Sequence, residues 1–436
     1  MKLLTFRGGI HPSEKKDLTK SSPITTIPIP ERLYIPVQQH TGAPAQPLVK
    51  VKDYVYKGQK IGDSQSFVTS PIHAPTSGNI RKIGLHPHPS GRPVLTIEIE
   101  SDGKDELFPN ISPVSWENLS PNEIREKIRE AGIVGLGGAA FPTHVKITPP
   151  PEKKIDTVIL NGAECEPYLT IDYRLMLEKP ELIVEGLQIL MYVLGVKRGI
   201  IAIEENKKDA GEILKNHLKR DMEIVFLKTK YPQGSEKQLI KAILDREVPS
   251  GGLPLDVGVV VNNVGTACAI AEHFRTGLPL ISRGVTVTGE GVKNPKNLNV
   301  LIGTPVFKLI EECGGFLDTP GKIIFGGPMM GIAIYSLVTP IIKGTSGVLV
   351  LPRSFIKNHD PLSCVRCGRC LDVCPMNLMP TVIAEYARLK NIELAEKEGA
   401  LDCMECGSCS YICPSRRPLV HWIRIAKFEI FAKRRK

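Results

Sequence analysis

Two copies of one cysteine run carry the plainest chemistry in the chain. They are Cys364-x2-Cys367-x2-Cys370-x3-Cys374-Pro375 and Cys403-x2-Cys406-x2-Cys409-x3-Cys413-Pro414, and they hold eight of the eleven cysteines. Thiolates at x2 spacing in a tight turn wrap three irons of one cubane, and the fourth cysteine of each run reaches the other cube. The spacing therefore predicts two [4Fe–4S] clusters. Cys364, Cys367, Cys370 and Cys413 would hold one, and Cys403, Cys406, Cys409 and Cys374 the other. The proline after each fourth cysteine turns the chain away. Zinc sites or a disulfide knot are the alternatives. Four-coordinate zinc has no use for a third x2 cysteine followed by x3-Cys-Pro. Thiolate-bound iron also predicts a reducing compartment.

A second group of residues suits a phosphate. Gly132-Ile-Val-Gly135-Leu-Gly137-Gly138-Ala-Ala-Phe-Pro-Thr-His-Val-Lys146 lets backbone N–H groups approach an anion, with Lys146 to offset its charge. A plain tight turn reads the same residues equally well. Two apolar runs then end in polar clusters: 157–160 runs into Asn161-Gly-Ala163-Glu164-Cys165-Glu166-Pro167, and 257–261 into Asn262-Asn263-Val-Gly-Thr266. In open α/β sheets, ligands sit outside the carboxyl ends of strands.

The elements that must position these groups follow from periodicity. Ser120-Pro-Asn-Glu123 predicts a capped helix start. Helices are expected over 181–194 and 208–219, and strands over 199–206 and 223–227, with a loop at 231–237. This alternation predicts a Rossmann-like α/β unit. A Rossmann-like domain without a ligand is the alternative. Cys165, Cys268 and Cys313 stand outside the cluster runs and read as small buried apolar residues.

The glycine loop and the two strand ends together resemble the flavin- and NADH-binding subunit of respiratory complex I. The resemblance implies FMN, lined by Gly135, Gly137, Lys146, Asn161, Ala163, Glu164, Asn262, Asn263 and Thr266. It places Glu236 at the NADH side. Position alone offers Cys165 a flavin contact, as the alternative to its reading as a buried apolar residue. Ala140 and His144 stand where that family's loop has glycine, and Lys237 where it has an acid.

Residues 1–110 read as short strands broken by proline and glycine, among them 48–51, 78–83 and 94–99. The stretches 51–62 and 74–78 resemble a biotinyl/lipoyl-like barrel-sandwich domain. Residues 61–80 contain no lysine, so no lipoyl or biotinyl attachment is expected. His86 and His88 read as loop residues. Residues 276–350 resemble the soluble-ligand-binding β-grasp domain of complex I, with a helix closing on Gly314-Gly315. Within it, 323–342 is 20 residues without a charge, long enough to span a bilayer. Its glycines and prolines predict turns and buried strands instead. Residues 351–436 are expected to form an α-helical two-cluster domain, with apolar residues at helical spacing after each cysteine run.

In this order the chain resembles the RnfC family, a subunit of the Rnf complexes, which are the ion-translocating ferredoxin:NAD+ oxidoreductases of bacteria. The expected fold is α/β and multidomain: barrel-sandwich (1–110), Rossmann-like FMN/NADH domain (111–275), β-grasp (276–350) and two-cluster ferredoxin-like domain (351–436). The resemblance implies a peripheral subunit that passes electrons between NAD(H), FMN and two [4Fe–4S] clusters. It would sit on the cytoplasmic face of the bacterial inner membrane. Its partners would be the other subunits of the complex, with ferredoxin met indirectly through a partner cluster subunit. The net charge is +10, and eight basic residues face Glu429 alone between 415 and 436. That confines the basic character largely to a tail, against a nucleic-acid groove. No apolar signal segment follows Met1. Two other readings are a soluble complex-I-like NADH dehydrogenase flavoprotein subunit and a flavin-free iron–sulfur relay.

Overall fold

The computed structural model describes residues 3–356 and 360–434. Between 121 and 276 the strand–helix alternation builds a four-stranded parallel sheet. Its spatial order is Met222–Leu227, Gly199–Glu204, Thr157–Gly162, Val259–Asn263. The first strand in sequence is therefore internal: the chain winds outward on one side of it, then returns to its other side. Asn263 lies opposite Asn161 in that last pairing. The crevice at this reversal is where α/β sheets take ligands. Both sheet faces are covered, so Ile159, Leu160, Ile200, Ile201 and Val259 are fully buried, as the unbroken apolar runs require.

The helices behave as their capping residues dictate. Ser120 and Glu123 form a reciprocal capping box at the start of Pro121–Glu130. Pro180–Leu194 ends at Gly195, which takes the left-handed conformation. It packs closely on Val264–Thr276; a Cβ at Gly186 would meet the Ala267 carbonyl oxygen at 2.1 Å. The helix expected over 208–219 ends earlier, as Lys208–Lys215.

The barrel-sandwich consists of a four-stranded and a three-stranded sheet around Leu33, Ile35, Ile61, Ile72, Ile97 and Ile99. The expected strand at 48–51 is not formed. Asp53 accepts from Lys50 N (2.7 Å), making a turn, and Leu48 and Val51 are exposed. The opening residues do not join the barrel. Leu4 pairs with Leu227, Ile10 with Tyr231, and Ile24–Thr26 with Lys296–Leu301 of the β-grasp sheet.

That sheet has six strands, with Val306–Glu312 against it. The uncharged run folds as the end of Pro320–Phe325, a turn, and the edge strand Ile332–Ala333. Among the described residues no helix is long and apolar enough to cross a membrane. His86 stacks on Tyr34 (4.1 Å between rings), while His88 contacts Ser90 and the Gln38 carbonyl.

The two-cluster domain is helical among the described residues, packed on Ile383, Ala387, Leu419, Ile423, Ala426 and Ile430. Its internal repeat reaches the backbone. Arg366 and Glu405, Gly368 and Gly407, and Asn377 and Arg416 occupy equivalent places in the two motifs, and all six have positive φ. The basic residues Arg435 and Lys436 lie outside the described residues.

Candidate cofactor cavity and cluster sites

A cavity of about 960 Å³ opens at the sheet's reversal point. The strand ends bring Asn161, Asn262 and Asn263 to it, the glycine loop brings Gly135 and Gly137, and Glu164, Lys146 and Glu236 complete that wall. Each asparagine has a different task. Asn161 donates to the Gly234 carbonyl (2.7 Å) and so ties its strand to the 231–237 loop. Asn263 donates to Asp172 (2.6 Å) and accepts from Gly265 N (2.8 Å), capping the helix that follows. Asn262 is 4% exposed, and its side-chain N–H2 has no protein partner.

Ala163 and Thr266 do not reach the cavity surface. Both are fully buried. Thr266 accepts from Leu136 N (2.9 Å) and braces the glycine loop from behind. The Ala163 carbonyl accepts from Lys207 Nζ (2.9 Å). Lys146 is not free to meet an anion alone, for it pairs with Glu236 at 2.5 Å. Glu164 lines the space and is held in place by accepting from Asp172 N (2.8 Å) and Tyr173 N (3.3 Å) at the start of Ile171–Glu178.

The two departures from the complex I loop have local explanations. Ala140 has φ +52, a conformation that suits glycine better. His144 is buried and packs edge-on against Phe67 of the barrel-sandwich. It exchanges a flexible position for an interdomain contact.

Several cavity residues left little mark in the sequence. The turn at Phe325-Gly326-Gly327 forms part of the wall, and a Cβ at Gly327 would meet Glu166 Oε2 at 2.2 Å. Glu166 accepts there from Met329 N (3.1 Å) and Met330 N (2.8 Å); burial pushes it up to about 7 against those two bonds. Asp172 is also raised, by burial and then by Glu164. Behind the wall, the buried Lys16 donates to the carbonyls of Glu164, Glu166 and Leu169 (2.9, 3.0 and 2.5 Å). No periodicity signals a lysine in that role. Cys165 lines the cavity and accepts from Gly234 N (3.2 Å), and burial raises it.

Among the described residues, the cluster domain reaches the cavity at a single residue. Met404 lines the cavity. Tyr231, also lining it, donates from its hydroxyl to the Cys406 carbonyl (2.8 Å). Gln238 donates to the Pro375 carbonyl (3.0 Å), and Gly9 N to the Val373 carbonyl (2.9 Å). The second cysteine run and Cys374 are thus held against the Rossmann-like domain.

The cysteines group by mutual electrostatic influence. The Cys403 and Cys409 thiols are raised by burial first, and both also sense Cys406 and Cys374. Cys370 is raised by burial and senses Cys413 and Cys364. All eight are free thiols. Among the described residues no three His, Cys, Asp or Glu side chains converge as for a single ion; a cubane holds its four thiolates farther apart. Cys374, Cys406 and Cys409 are buried, whereas Cys364 and Cys367 are exposed.

The donor sets fit the cofactors. Seven of the eight thiols fall into two neighbourhoods, each drawing on both cysteine runs: Cys364, Cys370 and Cys413, and Cys374, Cys403, Cys406 and Cys409. In the cavity, the unpartnered amide of Asn262 faces a space bordered by Gly138, where an added Cβ meets nothing within 4 Å. Backbone and amide donors around a deep polar-edged space suit a flavin nucleotide.

Comparisons with known proteins agree domain by domain. Residues 4–104 match the RnfC barrel sandwich hybrid domain, 128–272 the Nuo51 FMN-binding domain, 285–333 the SLBB domain, and 356–414 the 4Fe-4S dicluster domain. Fold and domains define an electron-transfer protein that joins an FMN-binding unit to a two-[4Fe–4S] module. The chain is 50% identical over 435 residues to the C-subunit of the Na+-translocating ferredoxin:NAD+ oxidoreductase complex of Acetobacterium woodii, covering 99% of this chain and 98% of that one. It is 51% identical over 431 residues to the C-subunit of the proton-translocating complex of Clostridium ljungdahlii, covering 98% and 94%. The chain belongs to the RnfC family, the C-subunits of ion-translocating ferredoxin:NAD+ oxidoreductase complexes. An NAD+-reducing [NiFe]-hydrogenase in its H2-reduced state shares the fold, with a TM-score of 0.50 at 18% identity over 72% of this chain and 66% of that one.

Proposed function

We propose that this chain is the NADH- and FMN-binding subunit of a membrane-bound ion-translocating ferredoxin:NAD+ oxidoreductase, placed peripherally on the cytoplasmic face. The observation that carries the reading is the shared cavity. The glycine loop and two strand ends form part of its lining, and Met404 and the Tyr231 that binds the Cys406 carbonyl bring the cluster domain to the same space.

When bound, FMN exchanges a hydride with a nicotinamide and single electrons with iron. The chain's own residues supply the rest. The loop N–H groups and the Asn262 amide hold the nucleotide. Lys146 and Glu236 border the pocket as an ion pair, so the lysine offers N–H donors and little net charge. Gly135, Gly137, Asn161, Glu164 and Asn263 shape the pocket, with Ala163 and Thr266 behind it. Tyr231 and Met404 exclude water between the pocket and the cluster on Cys403, Cys406, Cys409 and Cys374. The cluster on Cys364, Cys367, Cys370 and Cys413 lies outermost and faces a partner, through which ferredoxin is reached. Relatives of nearly equal identity are named for Na+ and for proton translocation, which supports placing ion choice in other subunits.

The test is spectroscopic. The purified chain carries about eight iron and a flavin absorbance that NADH bleaches under anaerobic conditions. If flavin never copurifies and NADH leaves the spectrum unchanged, the flavin-free relay replaces this reading.

A further inference from the structure

The barrel-sandwich domain shares the cavity, although neither the family matches nor the cysteine chemistry gives it a part there. Its segments 38–41 and 88–90 border the space. They are built, not loose. His88 Nε2 contacts the Gln38 carbonyl (2.9 Å), and Gln38 donates to the His40 carbonyl (2.6 Å). Thr41 donates through Oγ1 to the Ala139 carbonyl (2.7 Å) and through N to that of Ala140 (3.3 Å), gripping the crest of the glycine loop.

At the centre of this edge is Gln39, 2% exposed and lining the cavity. Its Oε1 accepts from Lys343 N (3.2 Å). A backbone N–H can only donate, so the side of the amide facing it is the oxygen. The N–H2 therefore points the other way, and it has no partner. Buried donors in folded proteins are almost always paired, and leaving one unpaired is costly. Asn262, which lines the same space, has the same signature.

We propose that Gln39 is a nucleotide-binding residue, its side-chain N–H2 donating to an acceptor oxygen of the ligand held in the cavity. The inference rests on the reading of the cavity as an FMN and NAD(H) site. A phosphate or carbonyl oxygen of either nucleotide supplies the chemistry. The barrel-sandwich is then part of the binding machinery as well as a neighbour of it.

The experiment uses the full chain with its clusters, stripped of flavin. FMN affinity is measured by fluorescence quenching, and NADH affinity by titration of the FMN-loaded chain. Gln39→Glu, assayed at alkaline pH where the carboxyl is ionised, keeps the acceptor for Lys343 N and removes the donor; Gln39→Met removes both. Iron content and thermal midpoint report folding. Loss of one neutral hydrogen bond predicts about tenfold weaker binding in both variants. Weaker FMN binding assigns the flavin as the source of the oxygen, and weaker NADH binding alone assigns the dinucleotide. A residue that merely supports Lys343 would leave Gln39→Glu normal. In the wild-type chain, the ligand concerned should also slow hydrogen exchange of residues 36–43, a readout that needs no variant. Unchanged affinity for both ligands in a folded variant, or unchanged exchange, overturns the inference alone. A wild-type chain that holds neither ligand overturns it together with the reading it rests on.

Discussion

At the scale of single residues, burial governs what the cavity walls can do. Glu166 is held at about 7 by burial despite two backbone donors. A carboxyl whose folded pKa exceeds its unfolded value of about 4.3 favours the folded state when protonated. That stability is complete below the unfolded pKa and is lost as pH rises through the folded one. Between about pH 4.5 and 7, Glu166 therefore contributes a falling slope of at most about 1.4 kcal/mol per pH unit. Glu166→Gln should flatten that part of a plot of thermal midpoint against pH. An unaltered slope would show that Glu166 titrates normally. Little of this was legible in the sequence. The Asn161 and Asn262 clusters announced a strand-end site, because polar residues closing an apolar run have few other uses. Lys16, Lys343 and Gln39 announced nothing, because each is placed by contacts more than a hundred residues away. Ala163 and Thr266 sit in the right motif but one layer back; spacing finds the strand end, not which way a side chain faces.

At the scale of elements, the proposed exchange of fourth ligands between the paired cysteine runs can be broken on one side only. Cys374 precedes the inter-motif helices yet senses Cys406, while Cys370 senses Cys413. Cys374→Ser should damage the cluster on Cys403, Cys406 and Cys409 and spare the one nearer in sequence. Cys413→Ser should do the reverse. Electron paramagnetic resonance of the two signals, with iron falling to about four per chain in the more severe case, would separate these outcomes. Damage confined to the cluster nearer in sequence would refute the exchange. The elements themselves were largely readable. Strand and helix periods gave the parallel sheet, and a capping box marked the helix at 121. The strand at 48–51 failed because Asp53 offers Lys50 N a turn bond that a short apolar run cannot outweigh. The helix from 208 stopped at Lys215, where good helix formers give way to Asn216 and His217.

At the scale of the whole molecule, the order of bodies along the chain was legible but their embrace was not. Resemblance named four domains in sequence. The folded chain instead threads its opening residues away from the barrel, against the Rossmann-like sheet, the near cluster loop and the β-grasp sheet in turn. Lys343 donates to the Pro71 and Gly132 carbonyls (both 2.6 Å), joining three domains at one buried amino group. Its acceptors are backbone oxygens, which carry no side-chain identity for a sequence to display. The cavity is a product of this assembly, since no single domain encloses it.

One asymmetry sets how such a molecule ages. Cys364 and Cys367 stand in solvent, whereas Cys406 is sheltered beside Tyr231 and Cys409 within the helical core. Oxidants reach accessible sulfur first, so brief aeration should strip the outer cubane while the inner one persists, which a time course of iron release and resonance signals would record. A chain weathered in that way still accepts reducing equivalents from NADH but has nowhere to send them. Its decay then runs from the partner-facing end inward, and a preparation that keeps its colour response to NADH can already be deaf to its partner.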